Sequence, residues 1–151
     1  MDDFGKWNFD IYEYSNVLGD YALVHFGFYL FQQYCLLDKF SIADKNFVSL
    51  IQNIVNVTYE ANAYHNVTKI IDLTRNFKYF VEQGNLMNVA HLSDLNIMSA
   101  FLSCLLQDVQ HPGVNNSFLI AMRHTKAIRY NDHSVLENHH SAIAFKLLLD
   151  P

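Results

Sequence analysis

Gln107-Asp108-Val109-Gln110-His111-Pro112-Gly113-Val114-Asn115-Asn116-Ser117-Phe118 and, further along, Tyr130-Asn131-Asp132-His133-Ser134-Val135-Leu136-Glu137-Asn138-His139-His140 are the stretches on which the reading of this chain turns. The first closes a helical run, because Pro112 cannot continue a helix and Gly113 accepts a turn. The second opens another: after Asn131-Asp132, Ser134 followed three residues later by Glu137 has capping-box spacing. An apolar face then continues through Leu136, Ile143 and Leu147. Working outward from this region, apolar residues at 3.6-residue spacing predict helices over about 92–108 and 65–80. A further helix carries the face Phe47, Leu50, Ile51, Ile54 and Val55, with Ser41 and Asp44 as candidate caps. From Leu18 to about Leu37 apolar residues surround the helix on nearly every side, which predicts burial. No alternating run reads as a strand. The expected architecture is all-α, with an irregular arm over 1–17 and one helical domain over 18–151.

Composition narrows the function classes. The chain has 151 residues, 51% of them hydrophobic, with 12 Phe, 9 Tyr, 5 Gly and 2 Pro, enough to bury a core and too few turn residues for an all-β design. A formal net charge of −5 without a basic run argues against nucleic acid as a partner. The acidic start Met1-Asp2-Asp3 lacks a signal-peptide pattern, and the longest apolar stretch, around Tyr21 to Phe31, is well short of the ~20 residues a membrane span needs. Cys35 and Cys104, far apart and outside any CxxC spacing, are expected to be reduced and buried. A cytoplasmic protein without a membrane partner is the expectation.

Together with Tyr64-His65-Asn66, the two stretches resemble the class I 3′,5′-cyclic nucleotide phosphodiesterase catalytic domain. The resemblance covers roughly residues 20 to 150, the amino-terminal half of that domain. It implies an HD-domain-like helical fold, hydrolysis of a 3′,5′-cyclic nucleotide to its 5′-monophosphate, and two divalent metals, zinc and then magnesium, in a helical pocket. It assigns the leaving-group proton donor to His65, the carboxylate that orients it to Glu137, the phosphate-facing histidine to His111 and a metal-bridging carboxylate to Asp108. Tyr64 and Asn116 are carried over as substrate-binding positions, although Asn115 and Asn116 are also in place to cap the next helix. The chemistry suits these types: a metal brings the pKa of bound water near 7, and an imidazole held by a carboxylate is a suitable acid for an alkoxide leaving group.

The departures from the resemblance fall on the metal ligands. Lys69 stands where the family has a histidine four residues after His65, a spacing that brings both to one helix face. Gln107 stands for the histidine of the HD pair, and the family's later aspartate has no counterpart. A protonated lysine has no lone pair and repels a dication, and a carboxamide is a weak zinc ligand beside imidazole. Metal binding is therefore expected to be weak or absent and catalysis impaired. Lys69 is instead a candidate counter-charge for Asp108. The alternatives are a catalytically silent interaction or structural subunit, associating with itself or a partner through the carboxy-terminal apolar face, and a sensor that binds a cyclic nucleotide without hydrolysis. His139 and His140 read as polar residues packed between helices. His91, His124 and His133 lack ligand spacing and are expected at the surface.

Overall fold

The computed structural model describes residues 2–58 and 62–149. After a 3-10 turn at Asp2–Gly5, the described helices are α1 (Ile11–Leu18), α2 (Ala22–Gln33), α3 (Leu36–Lys39), α4 (Asp44–Val57), α5 (Val67–Glu82), α6 (Leu86–Val89), α7 (Asp94–Leu106), α8 (Asn116–Ala121), α9 (Thr125–Arg129) and α10 (Val135–Leu148). No strand occurs among the described residues, and the chain is all-α as its periodicity predicts.

The main core lies where α2, α4, α5 and α7 meet. Phe26, Leu30 and Phe31 of α2, Ile51 and Ile54 of α4, Ile71 of α5, and Phe101 and Leu105 of α7 are all fully buried. Phe101 is central: its ring centroid lies 5.1 Å from Tyr34, 5.4 Å from Phe77 and 6.5 Å from Phe31. The faces arise from positions three and four apart, such as Phe47, Ile51 and Ile54, or Ile97, Phe101 and Leu105. A second, smaller cluster holds Leu119, Ala127, Val135 and Leu136. Helix α10 spans both, with Val135 and Leu136 in the smaller cluster and Ala144 and Leu147 against the main one.

Several sequence expectations are corrected. The arm over 1–17 contains α1, held by Asp10, whose carboxylate accepts from Tyr12 N and Glu13 N, and its Phe4 is buried in the main core. The signal for α1 is present in Ile11, Tyr14 and Leu18, spaced three and four residues apart behind Asp10. The helix over 18–37 is interrupted twice: a 3-10 turn at Gly19–Tyr21 separates α1 from α2, and Cys35, with a left-handed φ of 53°, separates α2 from α3 and is exposed rather than buried. Cys104 is half-buried. Neither Ser41 nor Asp44 caps α4: Ser41 has a φ of 53°, and Asp44 is already the first helical residue after Ala43. Ser134 also makes no cap, since its φ of 40° turns the hydroxyl away from the role expected of it. On α10, Ile143 and Leu147 are half-buried, and the exposed apolar side chains are Phe145, Leu148 and Leu149.

Candidate functional site

His65 lies just before α5 rather than within it. The turn that presents it is organised by Asn62, whose side-chain oxygen accepts from Tyr64 N at 3.1 Å and His65 N at 2.9 Å. Asn66 then caps α5 by accepting from Lys69 N at 3.1 Å, so Lys69 sits in the first turn of the helix. The same Asn62 donates through Nδ2 to the His111 carbonyl at 3.1 Å, tying this turn to the loop after α7. Gly113 closes that loop with a φ of +79°, and a Cβ there would stand 3.3 Å from Asn62 Nδ2. The dihedral favours glycine, and a side chain there would press Asn62 out of its place.

Asp108 follows α7 and meets the α5 turn. Lys69 Nζ forms an ion pair with Asp108 Oδ2, and His65 Nδ1 lies 3.2 Å from both atoms. All three side chains keep about a fifth of their surface exposed, 20–21%. Burial pushes the Asp108 carboxyl up. The hydrogen bond and charge of Lys69, then those of His65, outweigh that and hold it below the usual carboxylate range. The His65 ring stacks on His111 with centroids 3.5 Å apart and planes at 12°, and His140 lies beyond at 5.5 Å.

Hydrogen bonds assign the tautomers of the two further imidazoles. Gly113 N donates to His111 Nδ1 at 3.0 Å, so the neutral ring carries its proton on Nε2. His140 Nδ1 donates to the Val109 carbonyl at 2.7 Å, leaving Nε2 as an acceptor. Burial, followed by the neighbouring His65 and His140, brings the His111 pKa down to about 4. Asp108, His111, Glu137 and His140 line one cavity of about 660 Å³, together with Gln107, Ser99, Ser103 and Ser141. Its apolar wall is Leu102, Leu106, Leu136, Ala144, Phe145 and Leu148. The volume suits a small organic ligand, for which pockets of about 300–1,000 Å³ are usual.

Glu137 is not the partner of His65. It is exposed, and its Oε2 accepts from Asn116 Nδ2 at 3.0 Å, the main cause that holds its carboxyl below the usual range. Asn116 Oδ1 in turn accepts from Leu136 N at 2.9 Å. Asn116 thus supplies the cap that Ser134 does not, while Asn115 caps its own helix by accepting from Phe118 N. Tyr64 is exposed, with the Lys69 ammonium 4.9 Å from its ring centroid. His139 is buried in α10 with neither ring nitrogen hydrogen-bonded. His91, His124 and His133 are exposed. Asn62 went unread in the sequence, and the capping expected of Asn116 falls on α10 rather than on the helix that follows it. For Asn62 the Asx-turn spacing to the residues after it is the available signal; for Asn116 the partner lies on another helix and leaves none.

The donor set does not fit a transition metal. Lys69 puts an ammonium on the lone pairs of Asp108 and His65, and Gln107 offers a carboxamide. Among the described residues no group of three or more His, Cys, Asp or Glu is arranged to hold a metal ion.

Residues 64–151 match the family model for 3′5′-cyclic nucleotide phosphodiesterase. The chain is 34% identical over 151 residues to the human dual specificity calcium/calmodulin-dependent 3′,5′-cyclic nucleotide phosphodiesterase 1C, spanning 99% of this chain and 21% of that protein. It is 30% identical over 151 residues to 3′,5′-cyclic-AMP phosphodiesterase 4 of Dictyostelium discoideum, covering 100% of this chain and 14% of that one. The phosphodiesterase domain of the RhoPDE fusion protein from the choanoflagellate Salpingoeca rosetta superposes with a TM-score of 0.80 at 28% identity, over 97% of this chain and 44% of that chain. The chain thus spans about a fifth or less of the length of these two curated relatives.

Proposed function

The chain belongs to the 3′,5′-cyclic nucleotide phosphodiesterase family, and we propose that it is a catalytically silent form of the domain whose role is association rather than turnover. The observation that carries this reading is the ion pair of Lys69 with Asp108, which occupies the carboxylate that the resemblance assigns to a metal. The engagement of Glu137 with Asn116 supports it further, because the carboxylate left to meet His65 is Asp108, which Lys69 already holds. Zinc and magnesium, which serve the family reaction, are accordingly weak or absent ligands of this chain.

The surface offered for association is the carboxy-terminal end of α10, where Phe145 and Leu148, on the rim of the site cavity, and Leu149 just past the helix are exposed. The related choanoflagellate domain carries more than half of its length outside the matched part. A polypeptide surface of that kind, apolar and large enough to cover this face, is the partner we assign to it. A cytoplasmic setting belongs to the same proposal, supported by Cys35 and Cys104 as free thiols. No described helix is long and apolar enough to cross a membrane.

A hydrolysis assay of the purified chain with cyclic AMP and cyclic GMP, in added zinc and magnesium, tests the silent reading. No turnover above background is expected. Turnover that His65→Ala abolishes overturns it.

A further inference from the structure

We propose that the Lys69 ammonium is the resident cation of this site, a tethered positive charge that does the structural work of a bound metal and keeps divalent ions out. The surroundings of Nζ carry the proposal. Three electron-rich groups face it: the Asp108 carboxylate in ion-pair contact, His65 Nδ1 at 3.2 Å, and the Tyr64 ring face at 4.9 Å. An ammonium has three donors and no acceptor, so a carboxylate, an imidazole lone pair and a π face are the partners that suit it. His65 Nδ1 thus stands 3.2 Å from both the Lys69 ammonium and the Asp108 carboxylate.

The tether is short and ordered. Lys69 is anchored at its own backbone N–H by Asn66, in the first turn of α5, and Asp108 arrives from the loop that Asn62 ties to the same turn. The ion pair therefore closes a junction between α5 and the end of α7, as a metal bridging two elements does. A dication entering here meets a like charge already in contact with the best anionic donor, and Gln107 contributes no anion or imidazole in compensation. The ammonium of Lys69 balances the charge of Asp108 without any ion from solution.

The inference rests on the silent reading for the identity of the site but is tested separately from it. Zinc and cobalt are titrated into the intact chain against a chromophoric chelator at micromolar protein, and bound metal is counted after dialysis. The expected result is no stoichiometric zinc in the wild type and no change in Asp108→Asn. One equivalent of zinc held by the wild type and lost in Asp108→Asn overturns the proposal. The paired change Lys69→His with Gln107→His is expected to tighten cobalt binding by about 100-fold or more over wild type and to give a cobalt absorption band. A folded double variant that binds no more tightly than wild type counts against it.

Stability supplies the second arm, which does not depend on that variant folding. Lys69→Met is expected to raise the unfolding equilibrium constant about tenfold by stranding Asp108, with Lys69→Met/Asp108→Asn returning to within about threefold of wild type. Equal stability of wild type and Lys69→Met shows that Asp108 needs no cation, and overturns the proposal. His65-dependent turnover without bound metal sinks the silent reading and leaves the resident cation standing. Stoichiometric Asp108-dependent zinc in an inactive chain does the reverse.

Discussion

Asn116 shows how one carboxamide sets the local geometry of the site. Its oxygen takes the orphan N–H of Leu136 at the start of α10, and its nitrogen holds the Glu137 carboxylate. Truncation removes both contacts, so Asn116→Ala is expected to lower stability by about 1–2 kcal/mol, in the range of a lost helix cap. Urea unfolding checks the value, and a change within error would mean that α10 caps itself. His139 works in the opposite sense. Both of its ring nitrogens are buried without a protein partner, and burial first, then the charges of Lys126 and other neighbours, brings its pKa down from 6.5 to about 4. The native ring stays neutral while the unfolded one takes up a proton below pH 6.5, so stability is full above 6.5 and is lost as pH falls toward 4. His111, depressed to about 4 as well, adds to the same trend. Replacement of His139 by Leu is expected to stabilise by about 1 kcal/mol at pH 7, since it removes an unpaired buried polar group. Unfolding midpoints at pH 7.5 and 5.0 should also lie closer together in that variant than in wild type. Equal pH slopes in the two proteins would show that His139 does not titrate in this way.

At the scale of elements, the boundaries are set by left-handed residues as much as by helix propensity. Cys35 separates α2 from α3 with a φ of 53°, a conformation that costs a non-glycine residue roughly 1–2 kcal/mol. Cys35→Gly is accordingly expected to stabilise by about 0.5–1 kcal/mol, while the same change in a regular helix would destabilise. The thiols should also separate in native-state labelling. Cys35 is exposed and should react quickly, whereas Cys104 is half-buried with its thiol pushed up by burial and should react slowly. Two thiols of equal rate would place the α2–α3 break elsewhere. Ser134, with a φ of 40°, explains why the capping-box spacing to Glu137 misleads: the spacing is present, but the backbone dihedral it needs is not. The helix core positions were readable because three- and four-residue spacing follows from helical geometry alone. Among the caps, Asn115 at α8 was readable, but those of α4 and α10 were not, because a cap depends on a dihedral and, at α10, on a residue from α8.

Across the whole molecule, the two apolar clusters differ greatly in size, and the site lies near their junction under α10. Phe101 sits at the middle of the larger cluster. Phe101→Ala is expected to cost about 3–5 kcal/mol through the cavity it opens. The smaller cluster rests on four buried residues, so α8 and α9 should exchange amide hydrogens at lower free energy than α2, α4 and α7. Uniform protection across all of these helices would show that the two clusters unfold as one unit. Phe4 extends the larger cluster at the amino terminus, packing its ring 4.9–5.1 Å from Phe9, Tyr14, Phe26 and Tyr29. The buried Lys78 is held by Glu82 at 2.6 Å, and Glu82 also accepts from Gln33 and Tyr34 of the α2 end, so a charged network links α5 to α2 beside the apolar core.

The sequence by itself determined the all-α class, the apolar faces and the kinship carried by Asp108 to Phe118 and Ser134 to His140. These follow from residue spacing and from motif order, which need no knowledge of what touches what. It also located the chemical anomaly, since Lys69 and Gln107 are visible as residue types. Only the tertiary structure decided what those residues do: it brought the Lys69 ammonium onto Asp108 and His65, turned Glu137 to Asn116, stacked His65 on His111, and used Asn62 to join the two loops. The physical reason is that such contacts join residues as far as 49 positions apart in sequence. Their distances are set by how α5, α7, α8 and α10 pack, and no local pattern in the chain encodes them.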